Sequence, residues 1–252
     1  MIGKHFILTG STSGLGKSIL KQLLAKKVNV TVLVRNSEKL KDVIEKYGMS
    51  HLSIIQCDLQ STEAIYNITK QLKSQKFDGL IYCSGLGYFK TIAHHTSKEM
   101  LETYQLNVIH FNILLEILKP YLTNYPSIIG ISSQAAFVTQ ASAAHYGASK
   151  AAFYQTLNAL RIECPNYHIL TVNTGPIDTP FHKKADPSNN YANKYRKIML
   201  NADELAKKII KGIITKQDEI NQPKWMFVML KFYQIAPRFF EQHFTKLFKN
   251  KS

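Results

Sequence analysis

Tyr146 and Lys150, in the run Tyr146-Gly147-Ala148-Ser149-Lys150, stand four residues apart, the separation that puts two side chains on one face of a helix. A phenol beside an ammonium is an acid-base pair. A free tyrosine titrates near about 10, so at neutral pH almost none of it could take a proton. A lysine at about 4 Å in an effective dielectric near 20 would stabilise the phenolate by on the order of 4 kcal/mol, about three pKa units, provided desolvation of both groups is small. Such a pair can move a proton to or from a reacting oxygen. Taken alone it also arises by chance in many helices, so its neighbours must decide.

The second constellation is Thr9-Gly10-Ser11-Thr12-Ser13-Gly14-Leu15-Gly16, which ends an apolar run and opens the helical stretch Lys17-Ser18-Ile19. Glycines at 10, 14 and 16 remove side chains where the backbone must turn tightly, approach a pyrophosphate and pack a helix on a sheet. A phosphate would rest on the helix N-terminus.

These residues need elements to hold them. Short β-branched apolar runs alternate with longer amphipathic ones. The pattern predicts strands near 4–9, 29–34, 51–56, 78–83, 126–132 and 168–173. Helices are predicted near 14–27, 37–48, 61–75, 97–123, 144–163 and 202–216. The implied fold is α/β, a single-domain doubly wound parallel sheet of Rossmann type, with its crevice at the carboxyl ends of the strands. Every chemical motif falls at such an end. Residues 1–222 form the dinucleotide-binding and catalytic domain in this reading, and 223–252 a C-terminal amphipathic helical extension.

The glycine spacing differs from the GxGxxG of long dinucleotide enzymes and resembles the TGxxxGxG of the short-chain dehydrogenase/reductase family. The resemblance covers residues 1 to about 220. It implies an oxidoreductase moving a hydride between a nicotinamide and a carbonyl or secondary alcohol. By the resemblance the catalytic group is Asn107, Ser133, Tyr146 and Lys150. Ser133, thirteen positions before Tyr146, would hold the substrate oxygen beside the phenol. Ser132 competes for that role, but pleating sends the two side chains to opposite faces. Asn107 resembles the helix asparagine whose backbone carbonyl holds a water against the lysine, and Lys150 would also bind the nicotinamide ribose.

The cofactor contacts implied by the resemblance are Gly10, Ser11, Thr12, Ser13, Gly14, Leu15 and Gly16, then Arg35, Asp58, Leu59, Ser84 and Gly85. Asn107, Tyr146, Lys150, Ile177 and Thr179 complete the set. Arg35 stands where an acidic residue would hold the ribose 2′-hydroxyl of NAD, and its charged fork suits a 2′-phosphate, so NADP(H) is preferred over NAD(H). The fourth strand ends Tyr82-Cys83-Ser84-Gly85 where the family usually has Asn-Asn-Ala-Gly, which leaves backbone contact possible and side-chain contact in doubt. A catalytically idle NADP(H)-sensing protein on the same scaffold is the alternative reading. Retention of all four catalytic residues argues against it.

The 252 residues, 45% hydrophobic, suffice for a large core without disulfide or metal. Cys57, Cys83 and Cys164 lack knuckle or redox-pair spacing, and no histidine lies at ligand spacing, so no metal site is expected. With no leader pattern ahead of Phe6, a cytoplasmic protein is expected. The net charge of +15 comes from scattered lysines rather than one aromatic-interleaved stripe, which argues against nucleic acid.

In the extension, Trp225, Met229, Phe232, Ile235 or Ala236, Phe239, Phe244 and Leu247 recur every three to five positions, interrupted at Pro237, and Lys224, Lys231 and Arg238 every seven. Residues 224–250 thus suit a peripheral contact on the inner membrane surface. Equally, their apolar face could pack over the substrate pocket or a partner subunit. The resemblance further implies a homo-oligomer, dimer or tetramer, through the helices at 97–123 and 144–163, and a small-molecule carbonyl or alcohol substrate.

Overall fold

The computed structural model describes residues 1–72 and 75–248. The six apolar runs form β1 (His5–Thr9), β2 (Asn29–Val34), β3 (Leu52–Gln56), β4 (Phe77–Tyr82), β5 (Leu122–Ser133) and β6 (His168–Thr174). A seventh strand, β7 (Glu219–Gln222), completes the sheet. Its four residues alternate polar with apolar only once, too little pattern to register as a strand. All pairings are parallel, in the order β3-β2-β1-β4-β5-β6-β7. The chain steps outward from β1 to β3, then returns to the other side of β1 as β4. That reversal opens a crevice beyond the carboxyl ends of β1 and β4.

Between the strands lie α1 (Gly14–Ala25), α2 (Lys41–Tyr47), α3 (Thr62–Asn67), α4 (Thr69–Leu72), α5 (Ser97–Tyr104), α6 (His110–Leu118), α7 (Ala144–Glu163), α8 (Phe181–Ala185), α9 (Asn190–Tyr195) and α10 (Ala202–Ile214). After β7 come α11 (Lys224–Ile235), α12 (Pro237–His243) and α13 (Thr245–Phe248). The pleat sorts the core into two layers. Phe6 and Leu8 join Ile19, Leu23, Ile209 and Ile213 on the α1 and α10 side, while Ile7 joins Phe111, Phe153 and Leu157 on the α6 and α7 side. β1 is therefore apolar on both faces, as a sheet covered on both sides requires.

Four expected elements differ in detail. The helix expected over 97–123 is α5, a π-helical turn at Gln105–Ile109, α6 and a 3-10 turn at Lys119–Tyr121. The stretch 37–48 opens as a 3-10 turn capped by the Asn36 side chain, which accepts from the Glu38 N–H. The helix expected over 61–75 is α3 followed by α4, and residues 73–74 lie outside the described residues. β5 begins earlier than expected, but its register against β4 shifts between Phe77 and Gly79, so regular pairing resumes at Ser127.

The extension folds back over the body. The Gln134 side chain donates to the Pro223 carbonyl at 3.1 Å, and the Ala141 N–H to that of Phe248 at 2.9 Å. The Tyr233 hydroxyl donates to Glu241 at 2.6 Å and accepts from the Thr139 N–H at 3.3 Å. Among the described residues no helix is long and apolar enough to cross a membrane.

Candidate active site

The crevice floor is the turn between β1 and α1. A Cβ on Gly10 would lie 2.8 Å from the Cys83 carbonyl oxygen, and one on Gly16 only 2.1 Å from that of Gly10, so neither position admits a side chain. The Thr9 hydroxyl accepts the N–H groups of Cys83 at 3.0 Å and Ser84 at 3.1 Å, tying the ends of β1 and β4 together. α1 starts after an extended Ser13 that makes no side-chain cap, and its first turn holds no acidic residue. Its leading N–H groups therefore face the crevice with the positive end of the helix dipole and no capping side chain. The Ser11 hydroxyl is buried with no partner among the described residues. The cradle fits the pyrophosphate of a dinucleotide.

At one end of the same crevice stand Arg35, Lys39, Asp58 and the buried Leu59. The Arg35 guanidinium is exposed, 4.0 Å from an Asp58 oxygen that also accepts the Gln60 N–H at 3.0 Å. Lys39, one turn past Arg35 in the 3-10 segment, supplies a second cation that sequence spacing gave no reason to choose. Ser84 and Gly85 line the middle of the crevice. Tyr82 takes no part there: its ring is buried against Phe111, and its hydroxyl donates to the Leu106 carbonyl at 2.6 Å. Burial pushes the Cys83 thiol up to about 12, which leaves it inert.

Ser133, Tyr146 and Lys150 converge on the crevice from β5 and α7. The Ser133 side chain bonds the Tyr146 phenol and accepts from the Ala135 N–H at 3.1 Å. Ser132 points the other way, its hydroxyl 3.4 Å from the Lys150 carbonyl, as the pleat demands. The Lys150 ammonium, buried, donates to the Ile131 carbonyl at 2.9 Å and would be 3.3 Å from a Cβ on Gly85.

The Asn107 side chain is engaged within the protein. It is buried in the π turn behind Gly85 and does not line the cleft. Its amide donates to the Leu86 carbonyl at 2.8 Å and to Ser149 at 2.9 Å, and its oxygen accepts the Leu86 N–H at 2.9 Å. Its side-chain groups thus clamp the loop after β4 to α7.

The electrostatics also correct one expectation. Burial raises the Tyr146 phenol above its ordinary value, with the Ser133 bond pulling the other way, and lowers the Lys150 ammonium to about 8. Desolvation, taken as small in the sequence argument, is the larger effect on both groups. The resting pair is a neutral phenol beside a weakened ammonium.

Ile177 pairs with Leu200 across an isolated bridge, and the Thr179 side chain sits where a Cβ on Gly14 would fall, at 2.8 Å. Thr179 thus closes over the start of α1, and Ile177 lines the same crevice. Beyond Tyr146 the walls turn aromatic: its ring meets Phe89 at 5.9 Å and Phe181 at 5.5 Å, and Phe89 meets Tyr191 at 5.0 Å. Met226, Leu230, Tyr233 and Phe240 from the extension face this region. The whole forms one continuous cleft of about 880 Å³, from Arg35 to the extension.

The chain is 25% identical to an NADPH-dependent 3-dehydrocapnine reductase from Ornithobacterium rhinotracheale, the alignment covering 96% of each protein. It is 23% identical to an NADPH-dependent 1-acyldihydroxyacetone phosphate reductase from Saccharomyces cerevisiae, over 98% of this chain and 91% of that one. A short chain dehydrogenase/reductase from Burkholderia phymatum, solved with NAD, superposes with a TM-score of 0.82 over 100% of this chain and 97% of its own, at 13% identity. That likeness concerns the fold alone. The family profile described as short chain dehydrogenase matches residues 4–190, and with that match the chain belongs to the short chain dehydrogenase family of oxidoreductases.

Proposed function

We propose that this oxidoreductase reduces a ketone carried on an apolar chain to the secondary alcohol, using NADP(H), with Ser133, Tyr146 and Lys150 acting on the substrate side and Asn107 positioning them. The observation that carries the reading is the Tyr146 phenol, bonded to Ser133 in the same crevice as the buried Lys150. When bound, the reduced nicotinamide supplies the hydride. Ser133 orients the carbonyl oxygen by a hydrogen bond, which fixes it next to the phenol. As negative charge grows on that oxygen, Tyr146 gives it a proton. A phenol kept neutral by burial is in the right state for this direction. Lys150, beside Gly85, binds the ribose and offers a proton for the phenol's return to its neutral form.

Arg35 and Lys39 favour NADP(H), because two cations near the adenosine end suit a 2′-phosphate and no carboxylate occupies the position of Arg35. Two relatives are named NADPH-dependent. The apolar chain rests on Phe89, Phe181, Met226, Leu230 and Phe240 in the cleft walls, and one relative acts on a 1-acyl substrate by its name.

Tyr146→Phe tests the reading. Ketone turnover should fall by about 10² to 10⁴-fold while NADPH affinity stays within experimental scatter, measured by nucleotide fluorescence. A variant that still turns over at the native rate sinks the assigned role. If the native protein binds NADPH but oxidises it with no member of a ketone series of rising chain length, the idle sensor is the better description.

A further inference from the structure

α11 is apolar on two faces. Met226, Leu230 and Tyr233 face the cleft. Val228, Phe232 and Ile235 form a stripe away from the cleft, bordered by Trp225 and Met229, which also line the cleft's rim, and each of the five is half exposed or more, Ile235 reaching 78%. Phe239 on α12 continues it, with Phe244 past α12 at the cleft's edge, at about the same exposure. Seven large apolar side chains bared within twenty residues have no counterpart elsewhere among the described residues, where such side chains are scattered singly. Contiguous exposed apolar surface of this kind marks a binding face.

The surroundings say what kind. Lys224 and Lys231 lie along one edge of the stripe by helical position. The stretches 180–200 and 223–245 together hold eight Lys and Arg residues against two carboxylates, Asp186 and Glu241. Both carboxylates are used internally: Asp186 accepts from Ser188 and from the Tyr191 N–H, and Glu241 from Tyr233 and Arg238. A second copy of the chain seated symmetrically would bring like charges face to face, which disfavours it. A surface helix with aromatic and aliphatic residues outward and cations on its flank matches a bilayer interface bearing negative charge.

We propose that the outward face of α11 and α12 docks on an anionic lipid surface. The cleft-facing side of the same helix then lies at the bilayer boundary, so a chain-bearing ketone reaches Tyr146 without crossing water. That last consequence rests on the function proposed above, whereas docking itself does not.

Trp225 is the only tryptophan of the chain, which gives a built-in probe. Full-length protein is mixed with vesicles of phosphatidylglycerol and phosphatidylcholine, or of phosphatidylcholine alone, and followed by sedimentation and tryptophan emission. The expected result is partition onto the anionic vesicles with a blue shift, weakened by salt. The triple variant Val228→Glu, Phe232→Glu, Ile235→Glu, none of which lines the cleft, should lose at least about tenfold in partition and keep its NADPH affinity, which also reports folding. Equal partition of native protein onto neutral vesicles, or equal partition of the variant onto anionic ones, overturns the proposal. So does a native oligomer that shows no vesicle binding and dissociates in the variant, since a second copy would then be the occupant. Failure of docking leaves turnover of a short dissolved ketone intact; failure of the ketone reading leaves vesicle binding intact.

Discussion

A neutral phenol has consequences for how the rate responds to pH. Because burial raises the Tyr146 pKa, its protonated form persists to a higher pH than in a free tyrosine. In the proposed reaction ketone reduction needs that form, so its rate should stay level through neutral pH and fall at alkaline pH, as Lys150 loses the proton it returns to the phenol and as pH passes the raised pKa. Alcohol oxidation needs the phenolate and should climb over the same range. Lys150, lowered to about 8, loses its charge above that pH, so KM for NADPH should begin to rise there. Profiles of kcat and KM in both directions check this, and a reduction rate that climbs from neutral to alkaline pH would contradict it. The types and spacing of Ser133, Tyr146 and Lys150 were legible in the sequence, but the sign of the pKa shift was not, because desolvation depends on what covers a group and not on its neighbours in the chain. Lys39 was illegible for a similar reason: a 3-10 turn brings it to the crevice. Lys39→Ala should raise KM for NADPH by about tenfold and leave KM for NADH nearly unchanged in steady-state assays.

Elements decide how firmly these residues are held. The π turn at Gln105–Ile109 interrupts what sequence periodicity reads as one helix over 97–123, since a single i→i+5 turn leaves almost no trace in the apolar pattern. It is pinned from the sheet by Tyr82, whose buried hydroxyl reaches the Leu106 carbonyl, and from α7 by Asn107 and Ser149. The residue that departs from the family pattern at the end of β4 has therefore gained a structural duty. Tyr82→Phe leaves that carbonyl buried without its donor and should cost about 1–3 kcal/mol, a fall in Tm of about 2–12 °C for a chain of this size, with kcat lowered because Asn107 moves. Thermal unfolding with and without NADPH checks it; an unchanged Tm would show that the bond is dispensable. The same region bears on assembly. Leu101 and Ile109 are about half exposed on α5 and the π turn, on the face where an oligomer interface is expected, and Leu101→Glu with Ile109→Glu should shift the light-scattering mass toward a monomer.

On the scale of the whole molecule, the parallel sheet and its switch between β1 and β4 follow from the alternation of apolar runs, which is why strand positions and the crevice were legible. The enclosure of the cleft was not. Periodicity over 224–250 marked an amphipathic segment, yet it left open whether that face meets pocket, partner or membrane. The two faces of α11 answer separately: Met226, Leu230 and Tyr233 cover the cleft while Val228, Phe232 and Ile235 on the other side stay bare. No pattern of a single helix could assign them, because the partner of the inner face, Phe137 to Gln140, lies about ninety residues earlier in the chain. If the inner face recognises an apolar chain, a charge there should act on binding and spare the chemistry. Leu230→Glu should raise KM for a long-chain ketone by about ten- to a hundredfold, the transfer cost of burying one such side chain's worth of contact, while kcat/KM for a short ketone changes by less than about threefold. Comparable losses on short and long substrates would mean that the extension holds the catalytic group in place rather than the substrate, and the chain-length reading would have to be abandoned.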